Sequence, residues 1–258
     1  MKAGIYVWGG PTKKAFSERM QILKDVGFTS ICLGFVPLDR TDIAVTNADQ
    51  VRIAEQYGFP VDAVHLSGDK MTTIWSECDD AELVTKRLID ELTALKHLGL
   101  KTGVAHVTWG HDVPEAPSVK ALDRFKRIAD AADRLQVQVA FENSVFPEHV
   151  HYVLDHLDND YVGFCYDSGH ENAFTPGENY LDRHGHRLFA MHIHDNHGTD
   201  EHNLPFNGTI DWKHVMSQLR KTELFQKGGI ILESGGGPGD FRSNMEQSIE
   251  SIRRLMEL

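Results

Sequence analysis

Cysteine is scarce in this chain. Of 258 residues only Cys32, Cys78 and Cys165 are cysteines, and no two form a CxxC pair. An odd, scattered set cannot make a disulfide framework, so a reducing, cytoplasmic setting is expected. Positive charge is also short. Against 38 acidic side chains stand 26 lysines and arginines, a formal charge of -12. That balance disfavours long-range attraction to nucleic acid or to an anionic membrane. No apolar run is long enough to cross a bilayer, and the opening MKAGIYVWGG has no long apolar core followed by a cleavage site. No GxGxxG follows the first apolar run, so the dinucleotide-binding fingerprint of an open doubly wound sheet is missing. Repeats, linkers and low-complexity stretches are lacking too, which leaves residues 1–258 to be read as one domain.

What is present is an alternation of two hydrophobic periods. With 41% hydrophobic and 25% charged residues the composition is that of a packed globular protein. Strand-like runs occupy 3–8, 29–36, 61–68, 102–109, 138–144, 162–169, 188–196 and 228–237. Between them, apolar residues recur at helical spacing over 12–26, 47–58 (read with an Asn47 cap), 77–98, 118–135, 147–157, 178–188, a stretch beginning at Asp211, and 243–257. Eight strands alternating with eight helical segments imply right-handed crossovers and a parallel sheet. The expected fold class is α/β, a single (β/α)8 TIM barrel.

The strands end alike. His65 follows VDAV, His106 follows TGVA, Glu142 follows QVAF, Asp167 follows VGFCY, His192 follows FAM and Glu233 follows GIIL. A single polar residue at a strand end is where a chain meets water. Six potential ligands at the ends of six strands call for another reason. In a parallel barrel those ends share one face, where the chemistry of such folds sits. Glu142, Asp167, His192 and Glu233, from the last four strands, would suit one divalent ion, and three oxygens with one nitrogen discriminate poorly among Mn²⁺, Co²⁺, Mg²⁺ and Zn²⁺. Strand periodicity alone does not separate His192 from His194, which share parity.

Further candidates surround this set. His65 and His106 are either ligands or hydrogen-bonded neighbours of the ion. In Asp167-Ser168-Gly169-His170, Gly169 is expected to turn the chain so that His170 returns to the site. Asp200 and His202 form a close acid–imidazole pair. Trp8, Trp75, Trp109, Phe146 and Phe206 lie near strand ends and could stack on a sugar face or pack the barrel rim. Gly235-Gly236-Gly237-Pro238-Gly239, near Arg242, is where a barrel could hold phosphate.

These residues resemble the xylose isomerase-like barrel superfamily, which includes sugar isomerases, ketose 3-epimerases and endonuclease IV. The motifs are Phe141-Glu142-Asn143, Asp167-x-x-His170, His192-x-x-Asp195, Asp200-x-His202 with Gly208 and Ile210 downstream, and Leu232-Glu233. The resemblance implies a single-metal site at Glu142, Asp167, His192 and Glu233, and the H-x-x-D spacing selects His192 over His194. It also implies a substrate contact at Glu148. The chain departs from the ketose 3-epimerases at Asn196-His197-Gly198, where those enzymes place an arginine, so the sugar and the choice between epimerase and isomerase stay open.

The expected function is that of a metal-dependent isomerase or epimerase of a sugar or sugar phosphate. Glu142 and Glu233 would remove and return a proton next to a carbonyl, through a metal-stabilised enediolate. The rival is an endonuclease IV-like zinc phosphodiesterase acting on abasic DNA, whose further ligands would fall on His65, His106, His170, Asp200 and His202. The acidic charge and the shortage of basic and aromatic loop elements argue against a nucleic-acid partner. A third reading is a barrel that binds sugar or metal without turnover. No membrane partner is expected, and assembly into a homo-oligomer is left open.

Overall fold

A computed structural model describes residues 2–8, 10–40, 42–234 and 239–258. Eight parallel strands run β1 (Ala3–Val7), β2 (Ser30–Gly34), β3 (Val61–His65), β4 (Thr102–His106), β5 (Gln138–Glu142), β6 (Val162–Asp167), β7 (Leu188–His192) and β8 (Ile230–Leu232). Their ladder order is β7-β6-β5-β4-β3-β2-β1-β8. Just past the last strand pair, Ile193 donates to the Ile231 carbonyl at 3.1 Å and accepts from the Glu233 N–H at 3.1 Å. Those two bonds close the sheet on itself, and the fold is a (β/α)8 TIM barrel.

The helices are α1 (Lys13–Val26), α2 (Asn47–Tyr57), α3 (Asp79–His97), α4 (Val119–Leu135), α5 (Pro147–His156), α6 (Ser168–Phe174), α7 (Tyr180–His184), α8 (Trp212–Leu219), α9 (Glu223–Gly228) and α10 (Phe241–Glu257), with short 3-10 turns at Met71–Trp75 and Gly185–Arg187. Local chemistry sets their ends. Ser118 and Asp211 accept backbone N–H groups at the starts of α4 and α8. Gly27 closes α1 at φ 107°, a left-handed position where a side chain would be strained.

Each long helix lays one stripe on the sheet. Phe16, Met20 and Leu23 of α1, Leu88, Leu92 and Leu95 of α3, and Phe125, Ile128 and Ala132 of α4 are all buried. Each large side chain so buried contributes roughly 1.5–3 kcal/mol. The result is a rigid scaffold whose strand ends present their terminal side chains on one face.

Several sequence expectations need correction. The cap of α2 is Thr46, not Asn47. Thr46 and Asp49 satisfy each other's backbone N–H groups in a capping box, which the T-N-A-D spelling permits. Residues 168–174 are a helix rather than a turn: Asp167 accepts the His170 N–H at 2.7 Å and so starts α6 directly at the strand end. Trp75 is not at the mouth. It is buried in the 3-10 turn, packs on Phe125 at 5.0 Å and donates its indole N–H to the Val107 carbonyl. Phe206 faces away as well, under the Arg254 guanidinium at 4.0 Å. Of the glycine-rich stretch, 235–238 lie outside the described residues. Arg242 pairs with Asp25 of α1 at 2.8 Å.

Candidate metal centre

The strand ends converge. One ligand atom each from Glu142, Asp167, His192 and Glu233 lies within 4.8 Å of all the others. The register explains it: Asp167 is level with His192 across β6 and β7, and His106 is level with Glu142 across β4 and β5. His192 Nδ1 is the hub, 2.7 Å from Glu142 Oε1, 3.0 Å from Glu233 Oε2 and 4.0 Å from Asp167 Oδ2. Asn143 locks two of these strand ends together. Its side-chain amide donates to the Asp167 carbonyl at 2.8 Å and accepts the Asp167 N–H at 2.7 Å, which extends the ladder one step beyond the sheet.

Two further groups flank this one. His65 and His106 point their Nε2 atoms at the other oxygen of Glu142, at 3.2 and 2.9 Å. His170, His194 and His202 gather around Asp200, at 3.7, 3.8 and 3.1 Å. The loop that carries Asp200 and His202 is folded around Asp195, the last residue of the H-x-x-D motif. Its carboxylate accepts the N–H groups of Asn196, Phe206 and Ile210 and the indole N–H of Trp212. Gly208 is needed there, because a Cβ would come within 2.2 Å of an Asp195 carboxylate oxygen.

The donor set fits a divalent cation. Ligands held ~2.1 Å from one ion lie roughly 3–4 Å apart, and the contacts of His192 Nδ1 span 2.7 to 4.0 Å. The imidazoles are oriented in advance. His65, His170 and His202 each place Nδ1 against a backbone carbonyl, of Leu66, Asn143 and Glu233, at 2.9, 2.9 and 2.8 Å. That bond fixes the Nδ1–H tautomer and leaves the Nε2 lone pair aimed at a carboxylate, an arrangement a cation or a second proton must relieve.

The electrostatics agree. Burial pushes the Glu142 carboxyl up, but His192 and His106 outweigh it and hold it well below the usual range. Burial likewise raises Asp167, and His170 and His194 bring it down to about 2. Burial opposes protonation of His202, yet its bond to Asp200 lifts it to about 9. The carboxylates are therefore charged, with imidazole protons as their partners, and a bound cation would displace those protons.

Cavities open from this centre. One of about 380 Å³ is lined by Trp8, His65, Trp109, Glu142, His170, Asp200, His202 and Glu233. A second, of about 490 Å³, continues past Trp109 to His111 and Phe174. A third, also of about 490 Å³, runs beside Glu233 along Tyr6, Arg19 and Ser234. Trp8 and Trp109, 64% and 44% exposed, stand at the rim. Glu148, by contrast, is an exposed residue in the first turn of α5, 3.3 Å from His149, and lines none of these cavities. Sequence reasoning missed Tyr6 in an apolar strand, Arg19 in α1 and Ser234 after β8, none of which carries a pattern to mark it.

A family model for the xylose isomerase-like TIM barrel matches residues 20–257. The chain belongs to that family. Among solved structures, the D-psicose 3-epimerase of Clostridium cellulolyticum H10 with D-tagatose superposes on the whole of this xylose isomerase-like barrel, and over 100% of its own chain, at TM-score 0.77 and 15% identity. The IolI protein with a bound zinc atom aligns with 99% of the barrel and 96% of its own chain, at TM-score 0.68 and 17% identity. An uncharacterized Sinorhizobium fredii protein, y4fM, is 42% identical over a segment that is 33% of this chain and 30% of that protein. The chain thus spans under a third of that relative. No helix among the described residues is long and apolar enough to cross a membrane.

Proposed function

We propose that this barrel is a divalent-metal-dependent isomerase or epimerase of a sugar, with the ion held by Glu142, Asp167, His192 and Glu233. The observation that supports it most is the placement of Glu142 and Glu233 against one imidazole nitrogen, at 2.7 and 3.0 Å, in a buried centre that opens to a cavity at the barrel mouth. The ion, when bound, supplies Lewis-acid polarisation of a sugar carbonyl and so acidifies the neighbouring C–H.

The remaining work falls to the chain. One of Glu142 and Glu233 takes the proton from carbon, and the other returns one. Return to the opposite face of the same carbon inverts that centre; return to the neighbouring carbon moves the carbonyl. Glu142 is fixed for this by His65 and His106 on its second oxygen, and Glu233 by the barrel-closing bond to Ile193. His170, held by the Asn143 carbonyl and facing the mouth cavity, orients a substrate hydroxyl. Trp8 and Trp109 offer aromatic faces to the sugar ring. Sugar as the substrate class is supported by neighbours of the same fold that are named ketose 3-epimerases, one of them with D-tagatose bound.

The abasic-DNA reading is weaker, although all its ligand positions cluster here. The charge of -12 works against gripping a duplex. The experiment is turnover of a ketose panel, with and without an abasic oligonucleotide control, by wild type and Glu233→Gln. Loss of ketose turnover by at least a hundredfold in the variant, with the fold retained, is expected. Near-wild-type turnover would remove Glu233 from the mechanism.

A further inference from the structure

His194 has the same strand parity as His192, yet the two imidazoles are placed differently. His192 Nδ1 sits among three carboxylates. His194 Nε2 faces one of them from behind, 3.0 Å from Asp167 Oδ1 and 3.2 Å from Oδ2. Its Nδ1 is buried without a partner, unlike the Nδ1 atoms of His65, His170 and His202, which all meet carbonyls. With no acceptor at Nδ1, the neutral ring carries its proton on Nε2, where it is donated to Asp167. A ring of that tautomer is a donor to a carboxylate and has no lone pair on Nε2 for an ion.

The ring has little freedom. Its residue is fully buried. The His202 ring lies parallel to it, 4.0 Å between centroids at 4°. Gly169 packs so close that a Cβ there would meet the ring at 1.9 Å. The backbone is pinned by Ser168, whose hydroxyl donates to the His194 carbonyl at 2.8 Å and accepts the His194 N–H at 3.0 Å. Asp167 Oδ1 accepts the His170 N–H at 2.7 Å, and the His194 hydrogen bond falls on Oδ2 at 3.2 Å, so both oxygens of the carboxylate are held. Oδ2 is the oxygen nearer His192.

We propose that His194 is a positioning residue of the centre: it holds the Asp167 carboxylate in its ligating orientation and, through its stack on His202, ties that orientation to the loop that carries Asp200. The inference rests on the metal reading above. Outer hydrogen-bond partners of this kind typically change metal affinity 10–100-fold when removed.

The test uses two polar variants that differ by one methylene. In His194→Gln the amide nitrogen reaches the position of Nε2; in His194→Asn it stops short. Metal-stripped proteins are titrated with Mn²⁺, free ion is read by electron paramagnetic resonance, and thermal melting is followed without metal. The expected result is a tightest-site Kd weakened roughly 10–100-fold in H194N and within a few-fold of wild type in H194Q, with similar melting for both variants. Equal Kd for wild type and H194N overturns the inference and leaves the metal reading standing. So does a Kd weakened equally in both variants, which would mark a packing role. If H194N does not fold, H194Q alone decides, and tenfold weakening there overturns the inference. A wild-type protein that binds no Mn²⁺ overturns the metal reading and this inference with it.

Discussion

Adding one methyl group at Gly169 should loosen the centre from outside. A Cβ at that position falls 1.9, 2.3 and 2.5 Å from Cε1, Nδ1 and Nε2 of His194. Carbon atoms pack at about 3.5–4.0 Å, so ring and helix must part by about 1.6 Å. The ring cannot retreat, because His202 lies flat against it at 4.0 Å. The remaining route is for α6 to lift away from β7, and Asp167 caps α6. Two effects compete. Alanine favours a helix over glycine by up to ~1 kcal/mol, while forced overpacking costs about 1–3 kcal/mol. Overpacking wins here because nothing nearby yields. Taking the upper part of that cost, about 2–3 kcal/mol, less ~1 kcal/mol of helix gain, leaves about 1–2 kcal/mol; with roughly 2.1 cal/mol/K of unfolding entropy per residue over 258 residues, Gly169→Ala should melt ~2–4 °C lower. Its Mn²⁺ affinity should fall at the same time, since Asp167 moves with the helix. Gly228→Ala is the control, because its nearest neighbour would be an ordinary 3.8 Å away. Differential scanning calorimetry of both variants and a Mn²⁺ titration decide the matter. A G169A protein that melts with wild type and binds Mn²⁺ equally well would refute the geometry described for α6 and His194.

Other consequences follow from single contacts. Asn143→Ala strands the Asp167 N–H and carbonyl in a buried site; at ~1–3 kcal/mol for each unsatisfied group, urea denaturation should show a loss of about 2–6 kcal/mol, and a loss under 1 kcal/mol would contradict the locking role. Acid stability should depend on His184, on the outer side of the barrel. Burial, and then the neighbouring charge of His151, hold its imidazole down to about 3, while the unfolded value is ~6.5. A lowered folded value means that the unfolded chain binds the proton first, so nothing is lost above pH 6.5 and stability falls as pH drops from there toward 3. The loss reaches ~2 kcal/mol at pH 5. His184→Gln can still bond to His151 and should flatten melting between pH 7.5 and 5 by about 4 °C; parallel curves for variant and wild type would refute it. Metal binding should release protons from the imidazole–carboxylate pairs, seen as a buffer-dependent heat in calorimetry, and a heat that is the same in all buffers would contradict the pairing.

Much of this architecture could be read directly from the residues. Interior strands of a parallel barrel must be apolar until the mouth, so a Glu, Asp or His that ends such a run marks both the strand's limit and its side of the barrel. That logic brought out Glu142, Asp167, His192 and Glu233 together, and their side chains do meet; what they do there is the proposal above. Short-range chemistry was harder to read. Helix α6 has seven residues and no room for an amphipathic repeat, so D-S-G-H looks like a turn although Asp167 caps a helix. Gly169 reads as a residue that turns the chain, whereas its place is set by a ring from a distant strand. Thr46 and Asn47 are both good caps, and only the Asp49 partner decides between them. Trp75 and Phe206 follow strands in sequence, as rim aromatics do, but long connections carry them back into packing. The division of labour between His192 and His194 depends on what meets each ring nitrogen, which no spacing rule encodes.

The central claim is that a cation shared by four strand ends serves proton transfer at a sugar carbon. It is tested most directly by incubating metal-loaded and metal-stripped protein with ketoses in deuterium oxide and following carbon-bound deuterium by nuclear magnetic resonance, alongside metal content per chain. Deuterium appearing at a single carbon next to the carbonyl, with about one ion per chain and loss of exchange on stripping, is the predicted result. Bound metal with no exchange into any ketose, or exchange that survives complete removal of metal, would contradict the account.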